Sequence, residues 1–176
     1  TDNVVRLTTA GAYDTTFGAN GAAPVVGLRS PTFLAVQPDN KIVAFGAATN
    51  GQGFLTARLN SDGTFDPDFG TFGTNTLATY RAVPTGIALD MSADGLTLNA
   101  IVIGGILQGS ALSDGRCNYL RYSPVDGSVL KSWNVFNQIT CSTFTSKAGV
   151  LTSMGANPGV DLRIRRYLSD GSADGT

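Results

Sequence analysis

"TARLNSDGTFDPDFGTFG", Thr56 to Gly73, aligns without a gap on "VVRLTTAGAYDTTFGANG", Val4 to Gly21. Arg6 falls on Arg58, Leu7 on Leu59, Gly11 on Gly63, Asp14 on Asp66, Phe17 on Phe69, Gly18 on Gly70 and Gly21 on Gly73. Recurrence of arginine, aspartate, phenylalanine and glycine at fixed spacing marks an internal repeat rather than an isolated loop. Looser copies follow. "YLRYSPVDGSVLKSW" (Tyr119–Trp133) keeps Arg121, Asp126 and Gly127 with one residue inserted, and "RRYLSDGSADGT" (Arg165–Thr176) keeps Arg166, Asp170 and Gly171. The four arginines stand 52, 63 and 45 residues apart.

Between the copies lies a second shared block: "PTFLAVQPDNKIVAFG" (Pro31–Gly46), "PTGIALDMSADGLTLNAIVIGG" (Pro84–Gly105) and, more faintly, "CSTFTSKAGVLTSMG" (Cys141–Gly155). Each reads as strand, then an Asp-Asn, Asp-Gly or Ala-Gly turn, then strand, which is a hairpin signature. Periods of roughly 45 to 60 residues, with three or four short strands in each, suit the blade of a β-propeller better than a helical repeat. No window sustains the apolar spacing of a helix, and Gly or Pro interrupts the chain throughout. The expected fold is all-β, a propeller-like array of about three blades of short antiparallel strands. It forms a single domain over residues 1–176, with units of about 1–21 (partial), 22–73, 74–133 and 134–176 (partial).

"AVQPDNKIVAFG" followed by "ARLNSDGTFDPDFGTFG" resembles the delta-sixty repeat, a β-propeller-type repeat of bacterial secreted or surface proteins. The likeness is strongest over residues 31–73, good over 1–21, and fades through 84–127 to 140–176. It implies a propeller-like fold and an exported location, and it brings no activity with it. The chain also departs from the pattern. Lys41 is kept in the first hairpin, but Leu96 stands at or beside its place in the second, and the third copy ends in Trp133 without the following glycines.

Composition narrows the partners. A formal net charge of -1 and a charged fraction of 14% provide no broad positive field for nucleic acid or an anionic membrane. The one basic cluster, Arg163, Arg165 and Arg166, alternates with Leu162 and Ile164 and reads as the solvent face of a strand. The longest apolar run, "AIVIGGIL" (Ala100–Leu107), is strand-sized and far short of the ~20 residues of a membrane span. A start at Thr1 without Met agrees with removal of a signal peptide. The two cysteines, Cys117 and Cys141, are expected to form a disulfide, which places the chain in an oxidising compartment, extracellular or at the cell surface. With no histidine present, there is no Cys/His set for zinc or haem, and no cofactor is expected.

Candidate chemistry concentrates at Asp62, Asp66 and Asp68, the densest acidic stretch. Oxygen ligands this close suit Ca²⁺, but the terminal Glu of an EF-hand is missing and the N-terminal copy retains only Asp14. Asp and Asn side chains bonding the backbone two residues on explain the same letters as turns. The pairs Asp62/Asp66 and Asp90/Asp94 could be drawn as glycosidase carboxylates, and the lack of histidine removes Ser-His-Asp and Cys-His chemistry. No enzymatic activity is expected. Arg6, Arg58, Arg121 and Arg166 read as structural, each bonding a neighbouring blade's carboxylate or carbonyls. Asp14, Asp66, Phe17, Phe69, Gly18 and Gly70 are the other structural repeat positions, with the glycines permitting close backbone approach.

Two functions compete. The chain begins with the closing half of one repeat and stops inside the same half of another, while closed propellers have about four to eight blades. An unclosed stack exposes sheet edges, so either more sequence lies beyond these ends or subunits associate. This favours an extracellular structural protein, a scaffold or filament subunit that associates with other copies through strand or blade complementation. The alternative is a cell-surface module that binds glycan or protein, with Tyr80, Tyr119 and Trp133 stacking on sugar rings.

Overall fold

The computed structural model describes residues 2–51, 53–77, 81–108, 117–135, 140–156 and 162–175. Every regular element among them is a strand. Strands β1 (Asp2–Val5) and β2 (Ala22–Val25) pair with each other, followed by a four-stranded antiparallel meander of β3 (Leu28–Val36), β4 (Ile42–Ala48), β5 (Phe54–Leu59) and β6 (Thr74–Leu77). A second meander contains β7 (Arg81–Met91), β8 (Leu98–Gln108), β9 (Cys117–Tyr122) and β10 (Val129–Val135), and a third contains β11 (Thr140–Lys147), β12 (Val150–Ala156) and β13 (Leu162–Tyr167). The second and third join through a parallel bridge between Lys147 and Met91 on their first strands. The fold is all-β and propeller-like, its blades stacked face to face. The recurring letters and the hydrogen-bonded sheets have different phases: unit 22–73 starts with β2, which pairs with β1, and stops just before β6.

Local chemistry sets these elements. The turn from β11 to β12 consists of Ala148 (φ 53°) and Gly149 (φ 81°) between the paired Lys147 and Val150. Two successive left-handed residues make the turn whose twist matches a hairpin's own. The turn from β3 to β4 uses Asn40 at φ 65°, with the Asp39 carboxylate accepting the Lys41 N–H at 3.2 Å. Strands β4, β5 and β9 are buried at every residue, as strands covered on both faces must be.

Period-two alternation then divides each strand between two cores. Ile42 and Ala44 of β4 with Leu55, Ala57 and Leu59 of β5 pack against Val4, Ala23 and Val25 of the β1–β2 pair. Val43, Phe45 and Phe54 project to the other side and meet Ile101 and Ile103 of β8 and Leu120 and Tyr122 of β9. Val102, Cys117 and Tyr119, on the far face of the second meander, meet Leu151 and Tyr167 of the third. Cores therefore lie between blades. Each large side chain removed from water there contributes about 1.5–3 kcal/mol.

Candidate functional site in the seams between blades

The repeated arginine sits at each seam. Arg58, on β5, is 1% exposed at its side chain, and its Nε donates to Asp66 Oδ2 at 2.6 Å. Its two terminal nitrogens donate to main-chain carbonyls of the next blade, Nη1 to Pro124 and Nη2 to Val125 at 2.7 Å. The guanidinium carbon lies 4.5 Å from the centre of the Phe69 ring. Arg6 repeats the arrangement one blade earlier: Nε to Asp14 Oδ2 at 2.9 Å, Nη1 to the Ser61 carbonyl, and the Phe17 ring at 4.7 Å. A planar donor fork is well matched to this task.

Beside each arginine the following turn is gripped a second time. Gly18 N–H donates to the Asp62 carbonyl at 2.7 Å, and Gly70 N–H donates to the Asp126 carbonyl at 2.8 Å. Gly70 has φ 59°, and a Cβ there would collide with the Thr74 carbonyl, so only glycine fits without strain. The turn glycine of a blade packs on an aromatic ring of the blade before: Gly63 on Phe17, Gly127 on Phe69, and Gly171 on Trp133. Phe17 and Phe69 are fully buried.

Arg121 and Arg166 vary the theme. Eight residues after Arg121 stands Val129, not an aspartate, and Arg121 Nη2 instead donates to Asp90 Oδ2 at 2.6 Å, both groups being buried. The other oxygen of Asp90 accepts Gly149 N–H of the next blade at 2.9 Å. Arg166 regains the original spacing: its Nη2 reaches Asp174 Oδ2 at 3.1 Å, and Asp174 N–H returns to the Arg166 carbonyl, as Asp66 N–H does to Arg58. Neither Asp90 nor Asp174 was expected from the sequence as an arginine partner. Asp174 had a usable signal, since it stands eight residues after Arg166, as Asp14 does after Arg6 and Asp66 after Arg58.

The acidic stretch divides its labour. Asp62 Oδ1 accepts Thr64 N–H at 2.9 Å and the Thr64 hydroxyl at 2.7 Å. Asp66 is shared by Arg58 and by Lys41 Nζ at 2.8 Å, and its Oδ1 takes Asp68 N–H. Burial pushes the Asp66 carboxyl up, but the Lys41 ammonium, Asp68 N–H and Arg58 outweigh it and hold it below its ordinary value. Among the described residues no group of three or more potential ligands converges on a cation position. The turn aspartates recur in the same geometry: Asp126 and Asp170 accept Ser128 and Ser172 through N–H and hydroxyl alike. Hydrogen bonds from Ser123 and Ser128 bring Asp126 down to about 2. Of the drawn carboxylate pairs, Asp90 is buried on Arg121, while Asp94 accepts Leu96 N–H in an exposed turn.

Other expected residues fall as follows. Arg165 and Arg166 do not share a solvent face: alternation along β13 puts Ile164 (70% exposed) with Arg166 (48% at its side chain), and Arg165 on the face of buried Tyr167. The apolar residue is outward because the face it occupies carries no further blade among the described residues. The Arg163 side chain lies outside the described residues. Tyr119 is not a surface platform; it is fully buried, edge-on to Phe144 at 5.2 Å, and half-buried Trp133 is tilted against it at 5.8 Å. Tyr80 lies outside the described residues. Cys117 is fully buried in the core between the second and third meanders. Cys141 is on β11 of the third, its side chain outside the described residues, so the disulfide stays an expectation.

Both ends of the stack expose what the interior covers. Val5, Leu7 and Tyr13 are 45%, 54% and 62% exposed, whereas their repeat equivalents Ala57 and Leu59 are 0% exposed and Phe65 packs on the first core. Among the described residues no helix is long and apolar enough to cross a membrane. No curated protein matches the chain. Residues 37–69, from the end of β3 through the Arg58–Asp66–Phe69 constellation, match a family described as a domain of unknown function (DUF5122) β-propeller. That match, with blades stacked through a repeated arginine seam, indicates a β-propeller domain of unknown function.

Proposed function

We propose that this chain is a non-enzymatic structural protein of the extracellular space, a scaffold or filament subunit built from repeats of the delta-sixty type. Its copies associate by strand or blade complementation. One observation carries the reading: the exposed Val5, Leu7 and Tyr13 occupy the positions that Ala57, Leu59 and Phe65 occupy inside a seam. Each such apolar side chain gains about 1.5–3 kcal/mol when covered, so a blade placed there is favoured by the same forces that stack the interior ones. The disulfide expected of Cys117 and Cys141 and the low charge support an exported location.

Electron microscopy and sedimentation velocity of the purified chain test this reading. Ordered polymers that grow with concentration are expected; a sharp monomer at millimolar concentration refutes it.

A further inference from the structure

We propose that the association is head-to-tail and that Arg166 is its polar anchor, donating to the Thr9 carbonyl of a second copy. The proposal rests on the assembly reading above and adds the partner surface and its chemistry. At the two internal seams where the arginine grips the next blade, the acceptor is a main-chain carbonyl in that blade's turn: Ser61 for Arg6, and Pro124 with Val125 for Arg58. By the gapless alignment of residues 4–21 on 56–73, the N-terminal turn presents Thr9 where the next blade presents Ser61.

The N-terminal turn keeps the conformation of a gripped one without being gripped. Gly11 has φ 81°, close to the 90° of Gly63 and the 72° of Gly127. Yet a Cβ on Gly11 would meet nothing within 4 Å, whereas one on Gly63 would meet Phe17 and one on Gly127 would meet Phe69. The ring that packs on each interior turn glycine belongs to the preceding blade, and no described residue of this chain takes that place beside Gly11. Leu7 and Tyr13 bridge each other at the base of this turn, and with Val5 of β1 they are exposed.

The opposite end has the complementary shape. Arg166 aligns on Arg58 and Asp174 on Asp66 with no gap over residues 165–176, and the Arg166–Asp174 pair is already formed at 3.1 Å. A hollow of about 400 Å³ opens on one side of it, lined by Ile164, Tyr167, Ala173 and Asp174. Another of about 500 Å³ opens on the other side, lined by Thr145, Lys147, Val150 and Thr152. Asp174 holds Arg166 by Nη2, whereas Asp66 holds Arg58 by Nε, so Nη1 is the terminal nitrogen left to meet a carbonyl, as Nη1 of Arg6 and of Arg58 does. A contact between two different faces is heterologous, so it propagates as an open filament or closes as a ring.

The test uses the whole chain and two variants, Arg166→Ala and Leu7→Glu, each damaging one face. Circular dichroism should show both as folded as the parent, since both positions are exposed. Loss of a hydrogen bond to a charged group should weaken association about tenfold or more for Arg166→Ala. Each variant alone should sediment as monomer at concentrations where the parent polymerises. Mixed together they should give one-to-one dimers, because the intact tail of Leu7→Glu meets the intact head of Arg166→Ala. If the parent polymerises and Arg166→Ala polymerises equally well, the anchor is refuted while the scaffold reading stands. If the mixture gives no dimer, the head-to-tail arrangement is refuted. If the parent itself never associates, both readings fail.

Discussion

Replacing Arg58 by alanine removes a guanidinium that is 1% exposed and engaged on three sides. It leaves the Pro124 and Val125 carbonyls without their donor, Asp66 with only Lys41 and the Asp68 N–H, and the Phe69 ring without the guanidinium 4.5 Å from its centre. Breaking a buried pair from one side costs about 3–5 kcal/mol, because the remaining charge loses its partner in a poorly solvated place. In a chain of this size each kcal/mol moves the melting temperature by roughly 2–4 °C. Arg6→Ala is the internal control: Arg6 makes the equivalent bonds to Asp14 and the Ser61 carbonyl, with Nη2 on the Thr16 hydroxyl in place of a second carbonyl, and its ion pair has side chains 32% and 26% exposed, where such a pair contributes about 1 kcal/mol or less. Urea unfolding at neutral pH should therefore give Arg58→Ala a much lower midpoint than Arg6→Ala, at similar slopes. Equal losses for the two would show that seam position, not burial, sets the energy and would overturn this account. Loss of ligand binding with unchanged stability would overturn the structural role of the repeated arginines altogether.

Acid should loosen the same seam. The folded Asp66 carboxyl lies below its unfolded value of about 3.9, so its contribution is complete above that value and lost as pH falls through the lowered one. Urea midpoints between pH 7 and about pH 2.5 should drop, and Asp66→Asn, weaker at neutral pH, should show a shallower fall. Gly70→Ala sets a Cβ against the Thr74 carbonyl at φ 59° and should cost several times what Gly11→Ala costs. The latter meets only the ~1–2 kcal/mol penalty of a left-handed alanine; equal costs by thermal melting would contradict the close approach. Intact mass before and after reduction, with alkylation of the unfolded chain, should reveal no thiol at Cys117 or Cys141 until reductant is added. Alkylation of both without reductant would remove the disulfide.

The repeat and its strands were legible because they are written in local chemistry. Asp-Gly, Asp-Asn and Ala-Gly turns between β-rich runs need no distant information, and each became a turn between paired strands or a side-chain-closed loop. The identity of the seam arginine's partners was only half legible. Asp66 and Asp14 lie at a fixed distance along the chain, but Pro124 and Val125 bond through carbonyls, which leave no letter in a sequence. Asp90 was missed as an arginine partner for a related reason: a contact 31 residues away, on β7 across the intervening β8, replaces the local aspartate that position 129 lacks. Burial of Tyr119 and exposure of Ile164 depend on which face meets another blade. Strand alternation says that two faces exist without saying which of them is covered.

Because the arginine fork grips peptide oxygens, the receiving turn is under little pressure to keep its side chains. Ser61 in one blade is answered by Pro124 and Val125 in another, with a residue inserted and an imino acid admitted, yet the joint closes. A proline has no amide hydrogen to offer but retains its carbonyl. At the Arg6 and Arg58 seams the joint therefore behaves as a standard fitting with one keyed half: the residues that offer the carbonyls differ while the donor set of arginine, aspartate and phenylalanine recurs. An array built this way can gain or replace blades by duplication without redesigning each new pair of surfaces.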